Sequence, residues 1–195
     1  MLKIVLVYSS LQMDAGFLLL KQSYIHIDRW RIAFFIHVFT SMLVLIAGFT
    51  QFSKKLLQKR PRLHRTFGYI YVINVLLITG PAALIMSFYA NGGIVARIAF
   101  VLLSVLWLSF TSIALYKAIK RDFIAHKNFM IRSYALTLSA ISLRSWKVII
   151  ATFTTIRPMD RYRLIAWLGW VLNLLIAEVI ILQQVKRRMA KQQEL

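Results

Sequence analysis

The chain has 195 residues, of which 59% are hydrophobic, and it carries 25 Lys and Arg against 6 Asp and Glu. A soluble domain is only about 45–50% apolar, and a chain this short keeps most residues near its surface, so the excess points to a lipid-facing surface. The net charge of +19 would suit nucleic acid if the basic residues gathered on one groove-binding element, but they fall in short clusters between long apolar runs, which is the membrane pattern.

Cysteine is absent, which excludes disulfides, thiolate catalysis and Cys-ligated metals. Residues 1–30 are expected to form an external, partly interfacial segment. Their first apolar patch is too short for a signal-peptide core with its flanks, and no A-x-A-like site follows. The alternative for this segment is the end of a further helix. Five runs then follow that are long enough to cross a core of about 30 Å. They are predicted at 31–52, 67–89, 95–116, 128–152 and 164–183. Short connections make successive helices antiparallel neighbours, so the fold class is all-α, a polytopic transmembrane helix bundle occupying 31–184. Tyr69, Tyr71, Trp107, Tyr116, Trp146, Trp167 and Trp170 lie near span ends, as aromatic belts require.

The basic residues orient the bundle. Segments 53–66, 117–127 and the tail 185–195 alternate on one side and hold 14 Lys and Arg, against 8 on the other. Positive-inside bias puts the N-terminus outside and the C-terminus in the cytoplasm of a bacterial inner membrane, with anionic lipids as partners at the basic face. His64-Arg65-Thr66-Phe67 opens the second span and His126-Lys127-Asn128-Phe129 opens the fourth. The match suggests two hairpins related by an axis along the membrane normal, followed by a fifth helix.

The tracts HVFTSMLVLIAGFTQF, LHRTFGYIYV, ANGG, HKNFMIRSYALTLSAISLR and WLGWVLNLLIAE occur in this order. Together they resemble the bacterial predicted-membrane-protein family catalogued as domain of unknown function 2306, over about residues 31–182. The tract His126 to Ser133 is the most specific part. The resemblance implies a multi-span membrane protein and carries no activity with it. It also implies one more N-terminal helix in many members, and this sequence departs from the pattern there.

Ionisable groups inside spans are costly and mark function or pairing. Arg132, Ser133, Thr137, Ala140, Arg144 and Lys147 fall on one arc of an ideal fourth helix, giving either an anion path or a packed stripe with snorkelling ends. Glu178 is the one acid within a predicted span. Its depth matches that of Arg132, so the two are expected to form a structural ion pair. His37, Arg144 and the Thr79-Gly80-Pro81 tract lie at one depth near the opposite end. There the proline frees a backbone carbonyl, and with Lys147 these residues make the ligand-binding candidates. His64 and His126 share a boundary and are candidates for b-type haem, quinone or metal, against plain interfacial hydrogen bonding. Phosphate loops, H-E-x-x-H and nucleophile elbows are missing. The composite expectation is a non-enzymatic membrane protein that binds or passes a small polar or anionic ligand. A redox protein or a lipid-binding accessory or scaffold subunit are the alternatives.

Overall fold

The computed structural model describes residues 5–9 and 11–193. Residues 1–4 and 10 of the expected interfacial segment and 194–195 of the basic tail lie outside the described residues. Among the described residues all regular structure is helical. The helices are α1 (Asp28–Thr50), α2 (Lys54–Lys59), α3 (Pro61–Ile73), α4 (Gly80–Ser87), α5 (Gly93–Ile119), α6 (Phe123–Thr137), α7 (Ser139–Phe153) and α8 (Pro158–Gln193). A π-helical segment, Asn74–Thr79, joins α3 to α4, and a 3-10 turn spans Gly16–Lys21. Five stretches are long and apolar enough to cross a membrane: Asp28–Thr50, Pro61–Ser87, Gly93–Ile119, Phe123–Phe153 and Pro158–Ala190. Large apolar side chains such as Phe49, Leu77 and Phe153 stand exposed along them, as an all-α polytopic bundle requires.

Each helix starts earlier or ends later than its apolar run. Ser53 caps α2 by accepting from the Leu56 N–H at 3.2 Å, and Pro61 opens α3. Asp122 caps α6 by accepting from the Ala125 N–H at 3.1 Å, and that bond, followed by Lys117, holds its carboxyl below the usual range. Hydropathy registers where the chain is greasy, whereas a helix runs on until its end groups are satisfied. For the same reason residues 185–193, read as a tail, continue α8.

The chain divides into two compact units, Met1–Leu108 and Ser109–Leu195. In the first, α1 packs against α3, the π segment and α4. Residues before α1 fold onto it. Tyr8, Leu18, Trp30 and Phe34 form one buried cluster, with Tyr8 edge-on to Phe34 at 5.1 Å and Trp30 stacked on it at 5.5 Å.

In the second unit, α8 packs on α6 and α7. The expected single fourth span is interrupted at Leu138. Thr137 Oγ1 bonds back to Ser133 O at 3.2 Å, a habit that bends helices. Asn173 of α8 spans the break. Its Nδ2 donates to Ala135 O at 3.1 Å, and its Oδ1 accepts from Ser142 Oγ at 2.9 Å. Gly169 permits the contact of α7 with α8, because a Cβ there would lie 2.5 Å from Leu143 Cδ2.

Candidate functional site

In the first unit a polar layer crosses the interface between α1 and the π segment. Pro81 has no N–H to give the preceding turn, and the Gly80 N–H reaches five residues back to Val75 O. The turn widens into a π segment, a rare geometry frequent at functional sites. Gly80 is required there, since a Cβ would strike Val75 O and lie 2.6 Å from Leu108 Cδ2.

The widened turn presents Thr79, which is wholly buried, together with buried Asn74. His37 Nδ1 lies 3.3 Å from Thr79 O. A carbonyl only accepts, so this bond places a proton on Nδ1. Thr79 Oγ1 donates to Asn74 Oδ1 at 2.5 Å. Thr40 Oγ1 lies 2.7 Å from Thr79 Oγ1 and 2.6 Å from Ile36 O of its own helix. Thr40, Thr79 and Asn74 are thus linked side chain to side chain, and His37 joins them through the Thr79 carbonyl. Asn74 also lines a groove of about 390 Å³ with Thr66, Tyr69, Ile70, Ile73 and Ile78. A second groove of about 360 Å³ runs between α1 and α4, past Ile36, Leu77 and Pro81, with Arg29 among its lining residues.

The second unit holds the other candidates. Arg132 Nε and Nη2 donate to Glu178 Oε1 and Oε2 at 2.5 and 2.8 Å, a bidentate pair joining α6 to α8. Ser133, wholly buried, meets Thr111 Oγ1 at 2.7 Å. The break at Leu138 falls within the arc, between Thr137 on α6 and Ala140 on α7. Arg144 and Lys147 stand exposed on α7, and Arg144 Nη1 donates to Ala140 O of its own helix. His126 Nδ1 lies 2.8 Å from Ala114 O, which ties α6 to α5. His64 sits half-buried near the start of α3, in the first unit. Among the described residues no group of three His, Asp or Glu gathers as for a metal ion.

The family pattern described as "Predicted membrane protein (DUF2306)" matches residues 34–181. The chain belongs to this family. The match begins within α1 and ends within α8, so it takes in the polar layer, the ion pair and the break between α6 and α7. No curated protein and no solved structure matches the chain.

Sequence reasoning missed Thr40, Asn74 and Asn173, because isolated polar residues in apolar runs reveal nothing until their partners are placed. It also missed Lys21, which is 3% exposed. Lys21 Nζ donates to Tyr89 O and, at 2.8 Å, to Asn91 Oδ1. It lies 5.7, 5.1 and 6.0 Å from the ring centres of Phe17, Tyr24 and Trp30. Burial, then Arg97, push its ammonium down to about 8. The usable signal was a single Lys flanked by Phe17, Tyr24 and Trp30 in a segment otherwise poor in charge.

Proposed function

We propose that this membrane protein binds or passes a small polar or anionic ligand within its helical domain, at the layer of His37, Thr40, Asn74 and Thr79. The observation that carries this reading is the hydrogen-bonded cluster joining α1 to the π segment. Locking two helices together needs one such bond. Four convergent polar groups on a widened turn, with a groove reaching Asn74, are the usual form of a small-ligand site. Arg144 and Lys147, exposed on α7, would supply cations to an anionic ligand on that helix. The clusters of Lys and Arg in 53–66, 117–127 and 186–191 support a cytoplasmic C-terminus, an external N-terminus and anionic lipid at the basic face of a bacterial inner membrane.

The absence of Cys makes the test clean. Single variants His37→Cys, Thr40→Cys and Asn74→Cys are reconstituted in vesicles and exposed to a water-soluble cationic methanethiosulfonate, with Phe49→Cys as the lipid-facing control. Reaction at the three layer positions and not at the control is expected. If none of the three reacts in the folded protein, the layer is a dry joint between helices and binds nothing.

A further inference from the structure

A second polar cluster lies at the turn joining α4 to α5, and it is separate from the layer above. Lys21 reaches this turn from the N-terminal segment and bonds Tyr89 O and Asn91 Oδ1. Arg97 reaches it from the second turn of α5, where its Nη2 meets Tyr24 OH across a long 3.5 Å contact. Both cations thus approach Tyr24, whose ring lies 5.1 Å from Lys21 Nζ. Arg97 is close enough that its charge disfavours the Lys21 ammonium. Among the described residues neither cation makes an ion pair with a carboxylate.

Arg97 Nε is buried and has no hydrogen-bond partner among the described residues. A buried donor left unmade is expensive, the more so on a charged group. Nε and Nη2 form one edge of the guanidinium, the fork that takes two oxygens of an oxyanion side by side. Here one prong is unpartnered and the other only weakly engaged. Gly93, at the start of the same helix, adds no side chain to the turn, and a Cβ there would meet nothing within 4 Å.

We propose that Lys21, Tyr24 and Arg97 form an anion-binding site at the turn between α4 and α5, taking a phosphate-type oxyanion on the Nε–Nη2 edge of Arg97. The Tyr24 hydroxyl gives a further donor, and Lys21, held in place by Tyr89 O and Asn91, gives the second charge. The oxyanion belongs either to a free phosphate or to the headgroup of an anionic phospholipid.

The test uses the full chain. In uncharged detergent the thermal midpoint is followed against sodium phosphate, with sodium chloride at matched ionic strength. In parallel, native mass spectrometry counts phosphatidylglycerol retained from nanodiscs of phosphatidylcholine with and without it. A midpoint raised by phosphate beyond chloride supports the site with a soluble anion. Retention of one phosphatidylglycerol without a phosphate effect supports it with a headgroup. In either arm Arg97→Gln should weaken binding about ten-fold or more, the loss expected for one charge-assisted hydrogen bond. Tyr24→Phe, which keeps the ring packing, should weaken it less. The proposal is overturned if neither probe acts on the wild-type protein, or if both variants, folded by circular dichroism, bind as the wild type does. Neither outcome bears on cysteine labelling of the His37 layer.

Discussion

Replacing Glu178 with Ala removes the acceptor of the bidentate pair between α6 and α8 and leaves Arg132 without its carboxylate. Breaking one side of a buried pair costs about 3–5 kcal/mol, because the remaining charge is uncompensated. The side chains here are 22% and 39% exposed, so the expected loss sits at the low end, about 3 kcal/mol, or roughly a hundred-fold in the unfolding equilibrium. The contact of Arg132 with the Phe129 ring, 5.0 Å to its centre, recovers only about 0.5–1 kcal/mol. The paired change Arg132→Met with Glu178→Met should be milder than Glu178→Ala alone, since it leaves no orphan charge. The assay is sodium dodecyl sulfate unfolding from mixed micelles, followed by circular dichroism, on the single Met variants and the double variant. A coupling energy of about 2 kcal/mol is expected. Additivity within about 0.5 kcal/mol would mean the two residues do not stabilise each other, and the reasoning would fail.

Gly80→Ala should destabilise the first unit by about 1–3 kcal/mol, because the new methyl overpacks Val75 O and Leu108; unchanged unfolding in the same titration would refute the close approach. Lys21 titrates at about 8 in the folded chain against 10.5 ordinarily. The folded state therefore sheds its proton first, and stability should rise between about pH 8 and 10.5. The thermal midpoint of the wild type, taken relative to Lys21→Met, should climb across that window; a flat or falling difference contradicts the buried amine. A C-terminal green fluorescent protein fusion should fluoresce and an alkaline phosphatase fusion stay inactive, as a cytoplasmic C-terminus requires; the reverse pattern overturns the orientation.

The spans are legible in the sequence because a bilayer sets both their length and their composition, and nothing in a soluble fold imitates five such runs. Glu178 is legible for a related reason: an ionised carboxylate deep in a span must meet a cation, and Arg132 is the one at matching depth. The break at Leu138 is hidden, since Leu138 is itself a good helix former and the cause lies in the hydroxyl of Thr137 and in Asn173, contributed by another helix. Gly80-Pro81 announces an irregular turn, but its π form depends on which carbonyl the Gly80 N–H finds. Lys21 is the hardest to read. A lysine outside a predicted span ordinarily reads as solvated, and only Tyr89 and Asn91, some seventy residues on, show that it is enclosed.

That long separation also bears on how the chain is made. Lys21 can be sealed only by residues 68 and 70 positions further along, so the N-terminal segment cannot reach its final place while α1 alone has entered the bilayer. Until the turn after α4 is synthesised, the amine remains hydrated and fully charged at neutral pH, and the aromatic residues around it lack their closing partner. Docking of the segment around Lys21 therefore reports that the α1–α4 hairpin is complete. A protease acting on chains stalled before residue 89 should cut the N-terminal segment, and one acting on chains stalled well beyond residue 97 should spare it.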